Sequence, residues 1–259
     1  MEEDRRRFNI KHFLIIILVL VIALAMVISI RGFTFKKKYE PSAYLASSLP
    51  RFRLIDMNSL GITSDADNDG INDQEDIMLG AKSQLVPPAK NIFTLEEEEL
   101  NYYAGGDPPA EVAVSTDIIA RAMLDAGYVL MDLVYEDIAS NFDQYPLREI
   151  WGQTVCDPNI DYRRIQNFEI FFKRNAISLS TVFNPLSKES LESWYPGDII
   201  LFDMDLDGFT DCAGVLSDST TRDGIPKVIY NYIEPGHTVE ADILKEKVIT
   251  GHFRFPDSS

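Results

Sequence analysis

The segment RRRFNIKHFLIIILVLVIALAMVISIRG imposes the first constraint, because its apolar run from Phe13 to Ile30 carries no charged residue. As a helix rising about 1.5 Å per residue, this run would extend roughly 27 Å, close to the hydrocarbon thickness of a bilayer. Spanning is the economical reading. Arg5, Arg6, Arg7 and Lys11 precede the run, and Arg31, Lys36, Lys37 and Lys38 follow it, so flanking charge alone does not set orientation. A short cytoplasmic tail (1–12) followed by one apolar segment (13–31) is the plan of a signal-anchor. That plan places a single-pass protein in the cell membrane with its C-terminal domain extracytoplasmic. The competing reading is a cleaved signal peptide with Ala23-Leu24-Ala25 as the cleavage motif. The apolar run continues through Met26 to Ile30, which favours an uncleaved anchor.

The 259-residue chain has 41 acidic and 24 basic side chains, a formal net charge of -17. Such a charge repels polyphosphate and provides no counterion-release term, which argues against nucleic-acid binding. Cys156 and Cys212 are the two cysteines; they form neither a disulfide framework nor a zinc site, although a single bridge between them stays open.

Residues 32–64 mix basic, Ser and Pro residues with little periodicity and read as a stalk. After the breaker LVPPAK, strand and helix signals run from about residue 89 to 255. In STDIIARAMLDAG, Ser115 or Thr116 is placed to cap a helix, Ile118, Ile119, Ala122 and Met123 share a face, and Gly127 ends it. A second helix is expected over NFEIFFKRN, and LEEEEL (95–100) reads as a solvated helix face. GDIILFDM, CAGVLSD and KVIYNYI have the length and composition of strands. Helices first and strands afterwards predict an α+β domain with an antiparallel sheet.

Residues 65–76, DADNDGINDQED, place carboxylates at Asp65, Asp67, Asp69, Asp73 and Asp76, with Gly70 at the sixth position. Calcium takes six to eight oxygens; alternate Asp residues would point inward, Ile71 would offer its carbonyl at the seventh position, and the glycine permits the sharp turn. The twelve residues resemble the calcium loops of thrombospondin type 3 repeats and dockerins, with Asp76 where an EF-hand carries Glu. The expected cofactor is Ca2+, stiffening the stalk; the alternative is a polar turn without metal. A second Asp-rich stretch, DMDLDGFTDCAG from Asp203, has Gly214 at its twelfth position and strand-like flanks, so a hairpin bend is the better assignment there.

The segments YYAGGDPPAEVAVSTDIIARA, YEDIASNFDQYP, DPNIDYRRIQNFEIFFKR, YPGDIILF, GVLSD, DGIPKVIYN and ITGHFRF together resemble the domain-of-unknown-function family 1287. That family is similar to the papain-like superfamily with its NlpC-type cell-wall peptidases. The resemblance implies a papain-like/NlpC-like domain over 89–255, with a Cys at a helix start, a His on a following strand and a third polar residue on the next. It implies a peptide or amide bond of wall peptide as substrate. At these positions stand Ser115, Cys212 and Tyr230, with Asn231 kept from the family's His-Asn pair. A serine without a base is a poor nucleophile.

Two functions are therefore expected. The first is a membrane-anchored, extracytoplasmic, catalytically degenerate domain that binds peptidoglycan peptide or an envelope protein. Arg163 and Arg164 are candidates to grip carboxylates, with Trp194, Tyr195 and Phe202 alongside. The other reading of DYRR is an ion-pair network bracing the following helix. The second function is an active peptidase or amidase with Ser115 or Cys212 as nucleophile.

Overall fold

The computed structural model describes residues 51–53, 56–57, 61–95 and 101–256. The transmembrane reading of 13–31, most of the stalk and Glu96–Leu100 lie outside the described residues. No helix among the described residues is long and apolar enough to cross a membrane.

Runs of β-branched and aromatic residues between Asp and Gly form the sheet. Strand β5 (Ile199–Asp203) pairs with β6 (Cys212–Thr220), β6 with β7 (Pro226–Asn231), and β7 with β8 (Thr238–Ala241). On the other side β5 pairs with β9 (Val248–Arg254), which pairs with β4 (Ile177–Ser178). All these pairings are antiparallel, giving the order β4-β9-β5-β6-β7-β8, and the short β1 (Arg51–Phe52) adds to the far end of β6. A second, parallel pair joins β2 (Lys90–Asn91) to β3 (Val112–Ala113).

The helices are α1 (Asp73–Ser83), α2 (Ser115–Asp125), α3 (Leu130–Ser140), α4 (Leu147–Trp151), α5 (Ile165–Asn175) and α6 (Lys188–Ser193). Helix α2 forms where the apolar spacing expects it, but its cap differs. The N-cap is Val114, and Asp117 reaches back to accept the Val114 N–H at 2.8 Å. Thr116 instead donates its hydroxyl to the Arg163 carbonyl.

Alternate strand residues divide between two cores, as the period of two requires. Ile199, Leu201, Ala213, Val215, Ile229 and Phe253 pack with the buried residues of α1, α2, α3 and α5. Ile200, Phe202, Cys212, Leu216, Val228 and Tyr230 form a second core with Trp194, Ile243 and Leu244. The fold is α+β, helices on an antiparallel sheet.

Residues before 89 share the core: Ile77 and Ala81 of α1 pack in the same cluster as α2 and α5. Residues Ser47–Ser259 make one compact unit, and α1 places Ile77, Met78 and Ala81 in the interior. Gly80 explains how α1 comes so close to α2: a Cβ there would lie 2.9 Å from the Ala122 Cα. The Asp-rich loop is thus part of the domain rather than a separate stalk segment.

Candidate functional site

The start of α2 and the start of β6 bring together two of the sequence-expected positions. Ser115 is near enough to Cys212 to act on its thiol, while the Cys212 Sγ lies 3.6 Å from the Ala213 carbonyl oxygen. Cys212 is fully buried. Burial pushes its thiol far above the usual range, and the neighbouring Asp211 adds to the rise, against a smaller opposing pull from Ser115. Tyr230 shares the second core with Cys212, opposite Gly214 in the β6–β7 register, and burial pushes its phenol up.

Asn231 does not join them. It points the other way along β7, accepting from Asn91 Nδ2 at 2.8 Å and donating to the Ala89 carbonyl at 3.0 Å and Thr238 Oγ1 at 3.1 Å. It ties the segment before α2 to the β7–β8 hairpin. Cys156 and Cys212 are both free thiols.

Among the described residues, no hydrogen bond joins Ser115 or Cys212 to a carboxylate or an imidazole; the Cys212 thiol lies against the Ala213 carbonyl. A buried neutral thiol cannot take a proton from a hydroxyl, and a thiolate there is disfavoured by its surroundings. Asp211, beside it in sequence, is held elsewhere, accepting from the Tyr232 hydroxyl at 2.6 Å and the Met204 N–H at 2.9 Å. Neither described histidine supplies a base: His237 Nδ1 lies 3.2 Å from the Pro235 carbonyl, and His252 is fixed in a different cluster.

That cluster was not read from the sequence as a site. Asp198, fully buried, receives His252 Nε2 at 2.9 Å, Arg254 Nε and Nη2 each at 2.8 Å, Gln74 Nε2 at 2.7 Å and the Tyr195 N–H at 2.8 Å. Burial alone would push this carboxyl up, but the hydrogen bonds from His252 and Arg254 outweigh it and hold it below the usual carboxylate range. Trp194 stacks on His252 at 4.0 Å and Arg254 lies over the Tyr195 ring at 4.0 Å. The available signal was Gly197-Asp198 just ahead of a strand, with His252 and Arg254 on one later strand.

Arg163 and Arg164, the candidates to grip a ligand carboxylate, both have internal partners, as the ion-pair reading of DYRR expects. Arg163 is buried and grips Asp117 with Nε at 2.6 Å and Nη2 at 2.8 Å. Arg164 bonds Asp161 at 3.0 Å and Gln153, and stacks on Trp151 at 4.1 Å. Both brace the turn into α5, because a guanidinium pairs with the internal carboxylate in preference to leaving it buried and bare. Trp194 and Phe202 are likewise buried. A cavity of about 120 Å³ lies against α2 and α3, lined by Ala120, Arg121, Leu124, Leu130, Met131 and Tyr162, and its lining includes neither Ser115 nor Cys212.

In the loop before α1, Asp65, Asp67 and Asp69 bring carboxylate oxygens within 4.8 Å of one another. Asp65 Oδ1 and Oδ2 accept the N–H groups of Asp69 at 3.1 Å and Gly70 at 3.0 Å, and Asp69 Oδ1 accepts that of Ile71 at 2.8 Å. Asp73 is buried, with Oδ1 on the Ala66 N–H at 2.8 Å and Oδ2 on the Tyr128 hydroxyl at 2.7 Å. Burial, then the charges of Asp69, Asp67 and Asp73, push the Asp76 carboxyl up to about 7. The second Asp-rich stretch is a hairpin bend joining β5 to β6, with Phe202 opposite Cys212. Asp203 closes it by accepting the Leu206 and Gly208 N–H groups at 2.7 and 2.9 Å.

The fold and these positions define an α+β domain in which a helix N-terminus meets the first residue of a central antiparallel strand. The chain belongs to the family described as Domain of unknown function (DUF1287), matched over residues 92–255. It is 38% identical over 153 residues to the uncharacterized protein YijF of Escherichia coli K12, covering 59% of this chain and 69% of that protein. Among solved structures, an N-acetylmuramoyl-L-alanine amidase from Bacteroides uniformis aligns over 70% of this chain and 98% of its own, with 12% identity and a TM-score of 0.36. A likeness at that level carries no argument about activity.

Proposed function

We propose that this protein is a membrane-anchored, extracytoplasmic binding module on a papain-like scaffold that has lost hydrolytic chemistry, and that its partner is cell-wall peptide or an envelope protein. The observation that carries this reading is the Ser115–Cys212 pair. At the positions where papain-like chemistry needs a thiolate and an imidazole, this chain has a hydroxyl and a buried thiol pushed further from ionisation. The uncharged apolar run at 13–30 supports the anchor.

The test is incubation of the full-length protein, in mild detergent, with insoluble peptidoglycan. Retention on the wall without release of stem peptides is the expected result. Release of stem peptides that disappears in Ser115→Ala or Cys212→Ala would overturn it in favour of an active hydrolase. Neither retention nor release would remove the wall as partner.

A further inference from the structure

We infer that residues 65–76 bind one hard divalent cation, calcium by ligand number, and that this ion fastens α1 to the corner between α2 and α3. The clustered Asp65, Asp67 and Asp69 do not carry this inference by themselves. The deciding residue is Asp76. It is 6% exposed, and its Oδ2 is buried with no hydrogen-bond partner. A buried carboxylate oxygen without a donor is costly, and native structures rarely leave one.

Its direction is set by the helix. Asp76 follows Asp73 by three residues in the first turn of α1, so both lie on one face, and Asp73 faces the loop because it accepts the Ala66 N–H at 2.8 Å. The orphaned oxygen is thus aimed at the acidic cluster, where another hydrogen-bond acceptor gives no relief and a cation does. Among the described residues, no Lys or Arg forms a salt bridge with any of these five carboxylates.

The donor set selects the ion. It is all oxygen, from Asp65, Asp67, Asp69, the Ile71 carbonyl and Asp76, which suits a hard cation and not zinc or copper. Asp73 stands at the ninth position, which in such loops often acts through water. Asp73 also holds the Tyr128 hydroxyl, just after the turn that ends α2. On α1, Gln74 reaches Asp198 at 2.7 Å and the Pro196 carbonyl at 3.1 Å. An ion bound at 65–76 therefore fixes the first turn of the helix that joins the loop to the buried Asp198 cluster.

The experiment uses the full-length chain in mild detergent, stripped with EDTA, titrated with CaCl2 by calorimetry and melted with and without the ion, with MgCl2 in parallel. One saturable heat and a rise in Tm with CaCl2 are expected. Asp76→Asn should abolish the calcium-dependent rise without lowering the Tm measured in EDTA. The exposed Asp67→Asn should weaken calcium at least about tenfold and fold normally. No heat and no Tm change in the parent protein up to about 10 mM CaCl2, well above the affinity range of extracellular calcium modules, would overturn the inference. A calcium response unchanged in both variants would overturn the site, and an equal response to MgCl2 would overturn the choice of ion.

Discussion

Ser115, the first residue of α2, and Cys212, the first residue of β6, are both buried, and the serine pulls the thiol's pKa down against the larger effect of burial. Because burial holds that thiol protonated, Cys212 should not react with iodoacetamide in the native protein at neutral pH. Cys156, which is partly exposed, should react first. Mass spectrometry after brief labelling is expected to find the adduct on Cys156 alone, and on both cysteines after unfolding in guanidinium. Native labelling of Cys212 at the rate of a free thiol would mean that its surroundings stabilise a thiolate, and would revive it as a nucleophile.

Asp198 gathers four donor residues from three parts of the chain: Gln74 on α1, Tyr195 in the turn before β5, and His252 and Arg254 on β9. Removing one member of a buried charged network leaves the others uncompensated, at a cost of about 3–5 kcal/mol. Asp198→Ala should lower unfolding stability by that order in urea denaturation, whereas Lys188→Ala, an exposed pair on α6, should change it by less than about 1 kcal/mol. A small effect at Asp198 would show that the cluster is dispensable to the fold.

The same carboxylate sets a pH dependence. Its folded-state pKa lies below the usual range through His252 and Arg254 despite burial, so the folded state binds fewer protons than the unfolded chain there. Its contribution is complete above the unfolded value of about 3.9 and is lost as pH falls through the lower folded value. Asp137, held down by Arg174, Tyr145 and Asn175 against its own burial, acts in the same direction. The Tm should therefore fall steeply below about pH 4, and Asp198→Asn should flatten that fall.

Much of this architecture is legible in the residues. Strands β5, β6 and β7 and helices α2 and α5 follow the apolar periods directly, and the hairpin bend at 203–211 follows from its strand-like flanks. Helix α1 was not legible. Its sequence DQEDIMLGAKS has Gly80 near the middle, which reads as a weak point, whereas tertiary packing uses that glycine to admit Ala122. For the arginines the sequence leaves ligand binding and internal pairing open, because it shows two adjacent guanidinium groups but not that Asp117 and Asp161 fold back onto them. The Asp198 cluster was invisible for the same reason: its members are separated by 124 positions between Gln74 and Asp198 and 54 between Asp198 and His252.

Gly197 offers the sharpest test that α1 belongs to the domain. Its φ of 87° is in the left-handed region, and an added Cβ would meet the Gln74 carbonyl oxygen, with the Gln74 Cγ at 2.9 Å. Backbone strain and steric displacement act together, so Gly197→Ala should destabilise by about 3 kcal/mol or more. The clash is with α1, and the relief is to lift that helix from β5. Trypsin should then cut after Lys82, which in the parent protein is held by Asp218, under conditions where the parent resists. If Gly197→Ala melts at the parental temperature and leaves Lys82 protected, α1 is not seated against the turn before β5.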